Sequence, residues 1–524
     1  MILPTGSNLV SRPLIFRSET VSASLSVYLP TVFASRFIGL LRGVVLAWLL
    51  TTGEFGLLQV ALIVVNILDP LCSLGLNEAL ARYVPQYETK QALRAFLRRA
   101  VLLILAVGLG LSVAVMWWAE PIGRLLFATL NSGDSVVDIR ACADLTRIAT
   151  AATLALIIYY LTQSILTGLR MFRAVSLMEL VSNLTFMVAA VLVTLVGRGT
   201  AAAMLACYGL TLAAAALLVI PGLRRILRAA PDRESLTALS ADGRTHRVVE
   251  RMLRFGAWAA LATVMWQTLQ FYPMWYLQKI HGPDVTAVFG GVRLLTQAVL
   301  IISVAIVTVV QTSVTKTWES EGPPAADQRW ALAFKTTALA LLILCALIAG
   351  LSDVLVRLFP REYAQGVSII SGLLLFFMVS GHLGFLAIHF RLIERPRYLF
   401  LPWTVGLLAG VAAGRWLVLP GLAPVQALHA AVWTGILGVS AALVVIICLM
   451  WIKRRTIDQG TALLIAATYA LAGPIHLFIA VVAVLCILAG ASSVIFTIDG
   501  QQRLRQLLGD ACRRIGALLS RAVS

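Results

Sequence analysis

A chain of 524 residues that is 60% hydrophobic and only 13% charged, with a mean hydropathy of +0.91, cannot be a soluble multidomain protein. The net charge of +18 would suggest nucleic acid in a soluble chain, but in a membrane protein Lys and Arg gather in cytoplasmic loops, so no nucleic-acid partner is expected. Seven cysteines lie scattered without a CxxC pair or a histidine at ligand spacing, which argues against a disulfide framework, a metal site or any cofactor.

Residues 1–20 lack an apolar core followed by a small-residue cleavage site, so the first span is read as retained. Hydropathy, broken by Gly, Pro and charge, places spans at 21–50, 55–82, 96–118, 141–166, 174–196, 200–221, 252–279, 285–314, 331–351, 366–389, 397–418, 424–451, 459–473 and 475–498. The expected fold is therefore an all-α polytopic membrane protein of about 14 transmembrane helices. One set of turns holds Arg94, Arg98, Arg99, Arg170, Arg173, Arg224, Arg225, Arg228, Lys316, Arg391, Arg395, Arg397, Lys453, Arg454 and Arg455. The opposite turns read TTGE, VGRG, KIHGPD and LPGLAP, an asymmetry that puts both termini in the cytoplasm.

The longest internal loop, 222–251, divides the first twelve spans into lobes of six, 1–221 and 252–452, as in transporters built from repeats. Phe55-Gly56 and Phe289-Gly290 open corresponding spans of the two lobes. Two further helices occupy 453–498; only Gly473-Pro474 separates them, so a single tilted span is the alternative. The segment 499–524 sets Leu504, Leu507, Leu508, Ala511, Ile515, Leu518 and Leu519 on one face among arginines, a basic amphipathic helix suited to an anionic membrane surface.

An ionisable side chain in mid-span faces a cavity or a partner, because facing lipid costs several kcal/mol. Arg36, Arg42, Asp69, Glu179, Arg293 and, nearer an end, Arg415 are in this position. Arg42 and Arg293 each lie about 12 Å from the outer end of their spans at 1.5 Å per residue, so in matching lobes they could offer forked donors to one phosphate or pyrophosphate. Arg36 lies deeper, on one face with Gly39 and Gly43. The competing reading for each arginine is a salt bridge to Asp69 or Glu179, or snorkelling. Asp69, before the helix-breaking Pro70, could couple transport to a proton or cation or could pair with Arg36; Glu179, near a cytoplasmic end, reads as a pairing residue. Trp266 and Gln270, with Gln297 one turn beyond Arg293, could contact sugars, although aromatics also belong at membrane interfaces.

The run Ser35-Arg36-x-x-Gly39-x-x-Arg42, Glu54-Phe55-Gly56 and Gly75-Leu76-Asn77-Glu78-Ala79-Leu80-Ala81-Arg82-Tyr83-Val84-Pro85 resembles polysaccharide and O-antigen (Wzx-type) flippases of the multidrug/oligosaccharidyl-lipid/polysaccharide (MOP) exporter superfamily. Gly291-Val292-Arg293-Leu294 is similar to the Arg-Leu motif of lipid II flippases. The resemblance implies a twelve-helix core with two extra helices in a bacterial cytoplasmic membrane, turning over undecaprenyl-pyrophosphate-linked oligosaccharides among polysaccharide-assembly proteins. It makes Arg42 and Arg293 pyrophosphate ligands. The chain departs from lipid II flippases in carrying Asp69-Pro70 where they have paired arginines, and Val292 where they have an acid. A drug exporter would call for an acidic or neutral cavity. An enzyme would need a catalytic constellation, which the outer loop 119–140 lacks, so no enzyme is expected.

Overall fold

Apolar stretches of this length have no water to satisfy their backbones and must do so internally, as helices. The computed structural model describes residues 34, 37–75, 80, 84, 87, 93–128, 139–169, 171–197, 199–229, 244–393, 395, 397–453, 455, 457–496 and 501–502; among them there are helices and no strands. The expected amphipathic tail and Arg36 fall outside the described residues. Ten of the described helices are long and apolar enough to cross a membrane, and Phe37–Leu49, Gln459–Ala472 and Ile475–Ala491 are shorter apolar helices. Each expected span overlaps described helix, the first over 37–49 and the second over 55–72, and the protein is a multi-pass membrane protein.

By packing, the chain divides into two compact units, 1–290 and 291–524. The first contains α1 (Phe37–Leu49), α2 (Thr52–Cys72), α3 (Leu93–Trp117), α4 (Ala119–Phe127), α5 (Ile139–Gly168), α6 (Phe172–Leu195), α7 (Ala201–Ala229), α8 (Arg244–His281) and the start of α9 (Pro283–Thr296). Its centre is α2, and the Glu54-Phe55-Gly56 motif shows why. Glu54 Oε2 accepts the Ala201 N–H at 2.6 Å, capping the first turn of α7 with a negative charge. Phe55 is fully buried. Gly56 presses on the Pro283 carbonyl that opens α9, where a Cβ would collide with backbone. The contact is reciprocal, since a Cβ on Gly290 would come within 2.8 Å of Gln59. Both Phe-Gly pairs are thus parts of one close helix crossing.

The expected span 55–82 is interrupted, because α2 ends at Cys72. Ser73 N–H bonds to Asp69 O and Gly75 N–H to Pro70 O, with Leu74 and Gly75 at φ 49° and 61°, a left-handed helix stop. Glycine is required at 75 for a second reason: a Cβ there would sit 2.6 Å from the Gly256 carbonyl of α8. Contacts at 56 and 75 tie α8 and α9 to α2, so by packing this unit extends to 290, past the 222–251 loop.

The second unit contains the rest of α9, then α10 (Ala298–Glu321), α11 (Pro323–Gly350), α12 (Ser352–Val356), a 3₁₀ turn (Arg361–Ile369) leading into α13 (Ile370–Leu392), α14 (Arg397–Leu417), α15 (Pro424–Ile452), α16 (Gln459–Thr468), a second 3₁₀ turn (Tyr469–Ala472) and α17 (Ile475–Ala491). The expected single span 285–314 is divided at Gln297. No Pro or Gly lies at the division, where backbone bonds from Gln297 N–H to Arg293 O and from Ile301 N–H to Gln297 O carry the helix through with at most a local irregularity. The segment leading through α13 is the core of this unit, 83% buried over its apolar window against 22% for α3, whose Leu102, Leu109 and Val113 are exposed as a lipid-facing surface requires. Segment 459–498 forms two helices rather than one: Gly473-Pro474 turns the chain, and Gly460 packs against the Ile495 carbonyl, so the hairpin returns to the level where it began. Asp458 starts it, accepting the Thr461 N–H at 3.2 Å and pairing with the buried Lys335 of α11.

Gly56→Val should lower the apparent melting temperature of the purified protein, at a cost of about 1–3 kcal/mol for forcing atoms into a closed contact. Gly110→Ala, where a Cβ meets nothing within 4 Å, should leave it unchanged or raised. Burial acts to raise the Asp458 carboxyl, but hydrogen bonds from Lys335 and Thr461 outweigh it and hold the group below its ordinary 3.8. A depressed carboxylate stabilises the fold above its unfolded value and loses that contribution as pH falls through the folded one. The melting difference between wild type and Asp458→Asn should therefore be full at neutral pH and shrink as pH drops below 3.8.

Candidate functional site

The first unit encloses a cavity of about 210 Å³ against α1, α5, α6 and α7. Arg42 enters it from α1, Tyr159, Tyr160 and Gln163 from α5, Glu179 and Asn183 from α6, and Tyr208 from α7. Helical periodicity builds each wall: 159 and 163 share one face, as do 179 and 183. Asn183 Nδ2 donates to the Glu179 backbone carbonyl one turn back, at 3.0 Å, which leaves its Oδ1 to accept from Arg42 Nη1 at 3.0 Å. Gln163 Nε2 donates to Glu179 Oε1 at 2.8 Å. The Arg42 guanidinium also lies 5.1 Å from the Phe186 ring centre and 5.8 Å from that of Tyr208, positions where aromatic faces attract a cation.

A guanidinium fixed by an amide oxygen and two rings, beside tyrosines and side-chain amides, combines charged donors for phosphate with flat apolar faces and hydrogen-bonding groups for sugar rings. The cavity is also more acidic than Arg42 alone suggested. Glu179 is 9% exposed and lines it directly. The i, i+4 repeat of Glu179 with Asn183, and of Tyr159 with Gln163, was a signal in the sequence for these residues; Tyr208 carried none.

Arg293 belongs to the second unit. It is 4% exposed, with its guanidinium 5.4 Å from the Phe377 ring centre of α13. Gln297 is half-buried at the α9–α10 break. In the first unit Gln270 is buried and Trp266 half-buried one turn apart on α8, and neither lines the Arg42 cavity. Asp69 lies in the last turn of α2 beside Pro70, and its Oδ1 is buried with no hydrogen-bond partner among the described residues. Among the described residues no three His, Cys, Asp or Glu are grouped to hold a metal ion.

Residues 21–314, more than half of the chain, match the family described as polysaccharide biosynthesis protein. The chain belongs to that family. No curated protein sequence matches it. Among solved structures this family member resembles the lipid II flippase MurJ in an inward closed conformation, at 16% identity and a TM-score of 0.60 over 88% of this chain and 98% of that one. It also resembles a MOP superfamily transporter from Pyrococcus furiosus with a binding pocket of reversed polarity, at 16% identity and a TM-score of 0.62 over 86% and 96%. An outward-facing multidrug resistance transporter of the MATE family gives 16% identity and a TM-score of 0.63 over the same shares. The family member therefore has the fold of MOP superfamily transporters.

In a double-mutant cycle, Arg42→Met and Asn183→Leu should each lower stability by about 1–3 kcal/mol, and the double variant by less than the sum, because either change alone strands a polar partner. Thermal unfolding of the four proteins in detergent checks this; strict additivity would show the pair to be uncoupled.

Proposed function

We propose that this protein is a flippase that carries an undecaprenyl-pyrophosphate-linked oligosaccharide, a surface-polysaccharide precursor, across the bacterial cytoplasmic membrane. The observation that supports this best is the Arg42 cavity, a buried mixture of guanidinium, tyrosines and amides within a polysaccharide biosynthesis family member. A phosphate entering the cavity competes for the Arg42 donors, of which a guanidinium has five, while the first sugars lie against the tyrosine faces. The prenyl chain stays in lipid, where burying it in protein gains nothing. In this reading Arg293 is the second pyrophosphate ligand, the 1–221 and 252–452 lobes alternate in access, and the parting of Gly56 from Pro283 and of Gly290 from Gln59 accompanies opening. A buried carboxyl oxygen that meets no donor among the described residues suits a proton or a cation, which supports Asp69 as the coupling group.

Glu179 favours a second reading. A carboxylate in the cavity suits an organic cation, and the MATE transporter with this fold is a multidrug resistance protein. The fold also hosts a lipid II flippase, so peptidoglycan precursor is an alternative cargo.

Reconstitution in proteoliposomes with fluorescent lipid-linked oligosaccharide separates these readings. Wild type should move the undecaprenyl-pyrophosphate glycan faster than lipid II and should leave cationic dyes untouched. Loss of two charge-assisted contacts in Arg42→Ala/Arg293→Ala should slow transport by roughly 100-fold or more. Unimpaired transport by that double variant would sink the proposed site. Asp69→Asn should abolish any response to an imposed ion gradient.

A further inference from the structure

In the second unit α15 ends at Ile452 and Lys453 caps it, with Arg455 two residues on. Their side chains close a cavity of about 170 Å³ whose other walls are His389, Phe390, Ile393 and Met450. Aromatic rings place both cations: Lys453 Nζ lies 4.8 Å from the centre of the Tyr398 ring, and the Arg455 guanidinium 4.8 Å from that of Trp318. Asp327 accepts from Arg455 at 2.7 Å, whereas no carboxylate among the described residues pairs with Lys453.

His389 points to what is missing. Its side chain is 7% exposed, its ring lies 4.4 Å from that of Trp330 at an interplanar angle of 59°, and neither ring nitrogen has a hydrogen-bond partner among the described residues. The nearest carboxylate oxygen, Asp327 Oδ1, is 3.8 Å away and beyond hydrogen-bond reach. An imidazole always carries at least one N–H, and a buried donor left unmet is costly.

We propose that this cavity binds the phosphodiester of an anionic membrane phospholipid. Lys453, Arg455 and the His389 N–H supply donors to the phosphate oxygens, and Phe390, Ile393 and Met450 cover the glycerol and the first methylenes. A wall that is half apolar suits an amphipathic anion, whereas free phosphate keeps its hydration and gains nothing from Met450 or Ile393. Trp451, 79% exposed, and the exposed Ile452 stand at the same helix end, where the acyl chains would leave for the bilayer. Arg391, Arg395, Arg397 and Arg454 in the flanking segments add a field that concentrates anionic lipid at this surface. The site uses no residue of the Arg42 cavity.

The test is lipid retention by the full chain. The protein is reconstituted in nanodiscs of phosphatidylcholine with phosphatidylglycerol, released, and examined by native mass spectrometry. Wild type should keep phosphatidylglycerol in preference to phosphatidylcholine. Lys453→Gln and His389→Phe, which leave the Arg455–Asp327 pair intact, should each weaken retention about tenfold, as expected for one charged or buried hydrogen bond. Arg224→Gln, on α7, should retain lipid as wild type does. His389→Phe keeps the ring on Trp330, so a monodisperse profile in size-exclusion chromatography is expected and makes its lipid result readable. Equal retention by wild type and both variants overturns the proposal. So does displacement of the lipid by millimolar inorganic phosphate, which would mark the cavity as a simple anion site.

Discussion

Two glycines that meet another helix at backbone distance set the geometry of the first unit. With no Cβ at position 56, α2 can lie on the Pro283 carbonyl, and with none at 290, α9 can lie on Gln59. In lipid there is little hydrophobic gain from bringing helices together, so close packing of small residues carries the association. Once α2 is fixed there, Glu54 reaches the first turn of α7 and Phe55 fills the space beneath it. Gly75 closes the far end of the same helix against Gly256.

Both units set cationic side chains beside aromatic rings, Arg42 beside Phe186 and Tyr208 in the first. In the first, Arg42 and Glu179 share a small polar cavity, each held by an amide from a neighbouring helix turn. In the second, Arg293 lies over Phe377, and Arg455 and Lys453 rest over Trp318 and Tyr398. Aromatic faces orient a cation without cancelling its charge. Carboxylates also take part in this unit, Asp327 with Arg455 and Asp458 with the buried Lys335.

Much of the fold was legible because the bilayer imposes length and composition on each crossing. Among the described residues the expected spans overlap helices, and Gly473-Pro474 does separate two of them. Boundaries were less readable. The stop at Cys72 depends on backbone bonds to Asp69 and Pro70, which do not change hydropathy, and no Pro or Gly announces the division at Gln297. Of the site, Arg42 stood out because an arginine in a span is costly wherever it points. That Glu179 lines the same cavity was not readable, since its distance from the helix end says nothing about the helices that enclose it.

The sequence by itself determined a helical membrane protein, the apolar stretches that form its helices, the Phe-Gly pairs and the few charges that lipid would not tolerate. All of these follow from the energetic cost of polar groups in hydrocarbon, which each residue bears separately. The tertiary structure alone decided that the Phe-Gly pairs face one another, that Glu54 serves α7 and that Arg42 shares a cavity with Glu179 and Tyr208. It alone decided, too, that His389 lies beside Lys453 and Arg455. Those arrangements join residues far apart in the chain, and no local pattern records which faces of two helices will meet.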